Sequence, residues 1–170
     1  MTGKSEPAEI MWQGKYVRAM RQGRWEYVSR TNDVRAVVIL AEHDGKMLLV
    51  EQMRVPIGSR CIELPAGLVG DEDAQATIEQ TAVKELEEET GFTAARIERL
   101  GEFHSSPGML AESFTLVRAT GLRRIGEGGG TEHEDIAVHL VARADIPGFL
   151  EQKREQGLAI DAKLLLFMDF

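Results

Sequence analysis

The sequence predicts an α/β fold, a mixed β-sheet sandwiched between helices and preceded by a short N-terminal β region. The expectation rests on the order of patterns: short apolar runs, one long helical stretch, further runs, and two more helical patterns toward Phe170. It also rests on Asp44-Gly45, which separates the runs VRAVVILA and KMLLVEQM. Asp-Gly between two such runs is a strong hairpin signal and marks the start of the central sheet.

Taken in order, residues 10–30 set β-prone pieces around Gly14 and Gly23, which reads as two strands with tight turns. Trp12, Tyr16, Trp25 and Tyr27 suit stacking on a nucleobase, although aromatics in strands more often pack. Residues 1–32 form this N-terminal β region and residues 33–170 the main domain. After the hairpin, Arg54-Val55-Pro56-Ile57-Gly58 is a turn that exposes a guanidinium, a rigid fork suited to phosphate oxygens or to an acid partner. CIELPAG, Cys61 to Gly67, is a short strand ending at a turn. The acidic loop Gly70–Asp73 is placed to cap a helix beginning near Ala74, which stops at Gly91. Arg96–His104 and Ser113–Thr120 read as strands, and Gly128–Gly130 as a mobile loop before a strand over Ile136–Val141. ADIPGFLEQKREQG, with Pro147 near its start and Gly157 past its end, and IDAKLLLFMDF read as helices covering the sheet.

Composition narrows the function. One domain's worth of chain, 170 residues, carries 28 acids against 20 bases, a net charge of −8, and shows no basic stripe, so a nucleic-acid partner is not expected. The single cysteine, Cys61, excludes an internal disulfide and reads as a small buried residue in a reducing compartment. No apolar run approaches the length of a membrane span, and MTGKSEPAEI is too polar for a signal peptide, so a soluble cytoplasmic protein is expected.

The chemistry concentrates in Lys84-Glu85-Leu86-Glu87-Glu88-Glu89-Thr90-Gly91-Phe92. On a helix Glu85, Glu88 and Glu89 share a face, and like charges at that spacing repel. A solvated acidic face is one reading. The other is a hard divalent cation, which takes oxygen ligands and is shared between carboxylates and substrate phosphates.

The frame around these glutamates resembles the Nudix box. Gly67 matches its first glycine, and Glu85, Leu86, Glu88, Glu89, Gly91 and Phe92 match its tail. Two departures are visible: Lys84 stands where the pattern has Arg, and it lies seventeen residues after Gly67 instead of fourteen. The isolated Glu of the pattern is thereby displaced, with Glu72, Asp73 or Glu79 left as candidates for its place.

The resemblance implies the Nudix fold, a cytoplasmic homodimer joined through the N-terminal region, and metal-assisted hydrolysis of a nucleoside diphosphate derivative with Mg²⁺, for which Mn²⁺ substitutes. It implies that Glu85, Glu88, Glu89, Glu134 and the Ala66 carbonyl serve the metal, and that Glu63 supports them. By the same resemblance Arg54 and Glu112 place the substrate. Pro107 lies sixteen residues after Gly91, as in relatives acting on ADP-ribose, and the turn Ser106-Pro107-Gly108 with Glu112 fits that subgroup. Glu132 is the implied base for the attacking water, with Glu112 and the box glutamates as rivals. ADP-ribose, giving AMP and ribose 5-phosphate, is the expected substrate. A nucleotide sugar such as GDP-mannose or UDP-glucose, or a non-catalytic ligand-binding regulator, are the alternatives. His133 and His139 have no ligand-spaced partner and read as polar loop and strand positions.

Overall fold

The computed structural model describes residues 6–167 except Asp33, Glu72, Glu132 and His133. Its first three strands, β1 (Glu9–Gln13), β2 (Val17–Gln22) and β3 (Trp25–Arg30), form an antiparallel meander, one strand more than expected. Turns at residues 14–16 and 23–24 cut the segment into three pieces, each long enough to pair.

The main body follows with β4 (Arg35–His43), β5 (Lys46–Arg54), β6 (Ser59–Glu63), β7 (Ala66–Val69), helix α1 (Ile78–Thr90), β8 (Phe92–Thr93), β9 (Arg96–His104) and β10 (Ser113–Thr120). It ends with β11 (Arg123–Arg124), β12 (Ala137–Ala142), helix α2 (Ile146–Glu155), β13 (Ala159–Ile160) and a 3₁₀ segment, Ala162–Phe167. Strand order is β13-β6-β5-β4-β10-β9, with β12 also on β5 and β7 on β4. The β4–β10 and β6–β13 pairs are parallel and the others antiparallel, so the sheet is mixed as expected.

The sheet forks. The β4–β5 hairpin is paired beside its turn, at Glu42 with Met47 and His43 with Lys46, after which β4 turns to β7 and β10 while β5 turns to β6 and β12. Leu64 and Pro65 carry the chain from the β5 edge to the β4 edge, where the Pro65 carbonyl accepts the Ile39 N–H at 2.9 Å. Ala66 and Gly67 therefore stand at the fork.

Alternation along the strands gives each face its own core. Val37, Ile39, Ala41, Leu48, Val117 and Ala119 pack with Ala82, Leu86 and Phe92 on the α1 side. Val38, Met47, Leu49, Ile62 and Leu116 pack with Ile146, Leu150 and Leu164 on the α2 side.

Helix α1 begins four residues later than expected, and the acidic loop does not cap it. Thr77 does: its hydroxyl accepts the Gln80 N–H while the Gln80 side chain accepts the Thr77 N–H, a reciprocal capping box. The residues that lengthen the segment after Gly67 stay in the loop, where Asp73 accepts the Gln75 and Ala76 N–H groups.

The glycine loop, expected to be mobile, is docked on the end of α1. Gly91 closes the helix in the left-handed region, and the N–H groups of Gly129 and Gly130 donate to the Glu89 and Glu88 carbonyls at 3.0 and 2.9 Å. These are the orphan acceptors that any helix leaves at its C-terminus. A Cβ on Gly128 would stand 2.4 Å from the Thr90 carbonyl carbon, so the approach depends on glycine.

The second C-terminal helical pattern is also corrected. Its first residue, Ile160, completes β13 on β6, and Ala162–Phe167 form the 3₁₀ segment, whose Leu164 is fully buried against the sheet.

The N-terminal sheet joins the body through the turn before β10. Val28 exchanges backbone hydrogen bonds with Met109 and Ala111 at 2.8 and 2.9 Å, and Arg30 pairs with Glu112.

Candidate active site

Two elements build the site, the C-terminal half of α1 and the fork at Ala66-Gly67. Helical spacing turns Glu85 and Glu89 toward β7, and Glu89 is 4% exposed. Its carboxylate accepts the Ala66 N–H at 3.0 Å. Gly67 leaves room for its neighbour: a Cβ there would fall 2.1 Å from the Glu85 carboxyl carbon.

Burial pushes the Glu89 carboxyl up to about 8. The Ala66 N–H opposes this, the nearby charges of Glu85 and Glu134 reinforce it, and Arg54 pulls weakly the other way. Glu88 pairs with Lys84 one turn back at 3.3 Å, so the lysine at the box's basic position serves a neighbouring acid. Glu134 gives one carboxylate oxygen to the Thr131 N–H and hydroxyl at 2.8 and 3.0 Å.

Among the described residues, no three acid, histidine or cysteine side chains already converge closely enough to hold a metal ion. The donor set nevertheless fits a hard divalent cation. A carboxyl kept protonated chiefly by burial, with two neighbouring carboxylates adding to the effect, is what such an ion would relieve, and every candidate donor is oxygen. Glu85, Glu89 and the Ala66 carbonyl could hold it, with Glu134 near enough for its charge to act on Glu89.

Beside this cluster opens a cavity of about 660 Å³, walled by Ala66, Gly67 and Leu68 and by three cation–acid pairs. Arg54 grips Glu63 with two bonds of 2.6 and 2.7 Å, Arg30 meets Glu112 at 2.7 Å, and Lys163 meets Asp161 at 2.6 Å. The structure thus brings Arg54, Glu63 and Glu112 to one cavity with the fork. Pro107 and Gly108 do not reach the wall. They form the exposed tip of the turn whose ends, Ser105 and Glu112, do.

Glu132, His133 and Glu72 lie outside the described residues. Of the other candidates for the displaced glutamate, Asp73 stays in the loop and Glu79 ties the first turn of α1 to Arg99 on β9. Cys61 is buried in the cavity wall, and burial with nearby Glu63 pushes its thiol up to about 12, which keeps it a thiol. His139 is held by Glu51 at 3.0 Å, and burial lowers its pKa. Sequence reasoning passed over Arg30, Asp161 and Lys163, which sit in segments with no motif around them.

An α/β/α sandwich with glutamates from one helix gathered at a forked sheet, beside a cavity of paired charges, is the architecture of one phosphohydrolase class. Residues 31–159 match the NUDIX domain, and the chain belongs to the Nudix hydrolase family, whose members generally use divalent metal cations. It is 42% identical over 80 residues to ADP-ribose pyrophosphatase of Bacillus subtilis (strain 168), covering 45% of this chain and 40% of that protein. It is 32% identical over 166 residues to GDP-mannose pyrophosphatase of Cronobacter sakazakii (strain ATCC BAA-894), covering 91% of this chain and 78% of the relative. Several curated relatives are matched over about half of their own length. A crystal structure of an ADP compounds hydrolase superposes with TM-score 0.69 at 21% identity, covering 87% of this chain and 82% of that one, a likeness of fold. No helix among the described residues is long and apolar enough to cross a membrane.

Two outcomes are expected from this geometry. The folded carboxyl of Glu89 titrates well above its ordinary value of 4.5, so the unfolded chain gives up that proton first as pH rises. Metal-free protein should therefore lose stability between about pH 5 and 8, and Glu89→Gln should flatten the profile in denaturant titrations. A metal-free profile unchanged by Glu89→Gln would refute the assignment. Gly67→Ala should displace the Glu85 carboxylate and lower kcat about a hundredfold with the fold retained by circular dichroism; wild-type turnover would show that the close approach is dispensable.

Proposed function

We propose that this chain hydrolyses the diphosphate linkage of a nucleoside diphosphate joined to a second moiety, with ADP-ribose as substrate and AMP and ribose 5-phosphate as products. The observation that carries the reading is the buried Glu89 carboxyl, near Glu85 and Glu134 and bonded to the N–H of Ala66, which lines the cavity. Relatives named for ADP-ribose and for GDP-mannose, both small nucleoside diphosphate derivatives, support it.

Mg²⁺ is the proposed cation, with Mn²⁺ able to substitute; held by Glu85, Glu89 and the Ala66 carbonyl, with Glu88 and Glu134 assisting, it would neutralise the diphosphate and acidify water. The chain's own groups do the rest. Arg54, held by Glu63 through Nε and Nη2, presents its remaining Nη1 side to phosphate oxygens, and Glu112 accepts hydroxyl groups of the substrate. Pro107 and Gly108 act through the turn that leads to Glu112. Glu132 is proposed to take the proton from the attacking water. The water oxygen bonds to one phosphorus, the bridging P–O bond breaks, and the bridging oxygen leaves on the other phosphate, giving two monoesters.

The alignment along 91% of the chain with a GDP-mannose pyrophosphatase favours a nucleotide sugar as the second reading. Product analysis by mass-detected chromatography, with Mg²⁺ and parallel ADP-ribose, GDP-mannose and UDP-glucose, separates the two. AMP with ribose 5-phosphate as the fastest products supports the first, and a sugar phosphate as the fastest product moves the assignment to the second. Turnover of none would leave a non-catalytic binding protein. Glu89→Gln should abolish most turnover in the active pair.

The proposed cytoplasmic setting suits a chain whose one thiol is buried. The proposed homodimer rests on Ile10, Met11, Trp12, Tyr16 and Trp25, all more than half exposed on the N-terminal meander or its turns. Light scattering should give twice the monomer mass for the wild type and the monomer mass for Trp12→Ser/Trp25→Ser. A monomeric wild type would sink the dimer.

A further inference from the structure

The loop between β11 and β12 crosses from one face of the sheet to the other. On the α1 side it hangs from the Glu88 and Glu89 carbonyls by the Gly130 and Gly129 N–H groups. It is closed on itself, because the Ile136 N–H returns to the Gly129 carbonyl at 3.2 Å and the Glu134 N–H to that of Thr131 at 2.9 Å. The second attachment comes from Arg60 on β6, whose Nη1 meets the Asp135 carboxylate at 2.8 Å and whose Nη2 donates to the Asp135 carbonyl at 3.1 Å.

Arg60 is itself held with unusual completeness. Its Nε donates to the Glu51 carboxylate at 2.8 Å, and Nη2 also reaches the Glu51 carbonyl at 3.0 Å. The other Glu51 oxygen accepts Lys153 Nζ from α2 at 2.7 Å and faces His139 Nε2 on β12 at 3.0 Å. One carboxylate thus gathers cationic or polar groups from β6, β12 and α2, and the rigid guanidinium carries that fixed point to the loop. The Asp135 side chain is 89% exposed, so its ion pair alone is weak; the bond to the main-chain carbonyl is what fixes the backbone next to Glu134.

We infer that Arg60 is a positioning residue for the acidic site, anchored by Glu51 and acting through Asp135 to fix the backbone that carries Glu134 beside the C-terminal end of α1. The functional half of the inference rests on the proposed cation site, and the mechanical half does not. Nothing in the box motif points to Arg60, which lies on the α2 side of the sheet, across from the helix that carries the glutamates.

The experiment compares wild type, Arg60→Ala, Arg60→Lys, Asp135→Ala and the surface control Arg99→Ala. Three readouts are used: amide hydrogen exchange at Gly129 and Gly130 without metal, Mn²⁺ affinity by electron paramagnetic resonance, and kcat and KM on the best substrate. Arg60→Ala should speed exchange of the two amides about tenfold. It should also lower Mn²⁺ affinity and kcat by roughly ten- to a hundredfold, with KM within about twofold. Arg60→Lys, which loses the fork, should not rescue. Asp135→Ala should show a smaller change because the carbonyl contact persists, and Arg99→Ala should match the wild type. If Arg60→Ala fails to fold, Arg60→Lys and Asp135→Ala decide. Wild-type exchange and wild-type Mn²⁺ affinity in the Arg60 variants would overturn the inference. Wild-type protein that binds no Mn²⁺ and turns over no diphosphate, while Arg60→Ala still loosens the loop, would overturn the proposed function and leave the mechanical role standing.

Discussion

The structure depends on burying a carboxyl that the protein does not fully neutralise by itself. Glu89 is nearly sealed between α1 and β7, with one backbone N–H as its hydrogen-bond donor and two further acids nearby. It also sits in the last turn of its helix, where backbone carbonyls already point outward and no basic residue is present. Such a placement costs stability, and the surrounding helix is correspondingly secure. Leu86 and Ala82 are fully buried, a reciprocal cap closes the first turn, and the glycine loop takes up carbonyls of the last. Local conflicts of this kind are expected where a fold is shaped by a ligand as well as by its own core.

Much of the fold was legible because its signals are local. The strands over Arg96–His104 and Ser113–Thr120 fall where their patterns put them, with the Ser106-Pro107-Gly108 break between them. The end of α1 at Gly91 was equally plain. Its start was not, because the acids near Asp73 competed with Thr77 and Gln80, whose capping-box spacing was the better signal. Leu164-Leu165-Leu166-Phe167 was read as a helix because a short apolar run carries no period of its own. The docking of the glycine loop is hidden for a deeper reason: its acceptors belong to the end of α1, a tertiary fact that composition conceals.

The acidic half of the site was readable for the same reason as α1, since the glutamates fall at helical spacing around one glycine-framed helix. The cavity wall was not. Arg30 and Glu112 stand 82 positions apart, and only the docking of the meander on the turn before β10 brings them together. Asp161 and Lys163 reach the cavity because β13 adds to β6 in parallel, a pairing without a turn signature.

That docking has a mechanical consequence. The N-terminal meander is a lever: its long arm is a broad face of exposed aromatic and aliphatic side chains, and its short arm ends in Arg30 on the cavity wall. The fulcrum is the pair of backbone bonds between Val28 and the turn before β10. The exposed face and the cavity wall are therefore two ends of one small sheet, joined to the body by those two backbone bonds and by the Arg30–Glu112 ion pair.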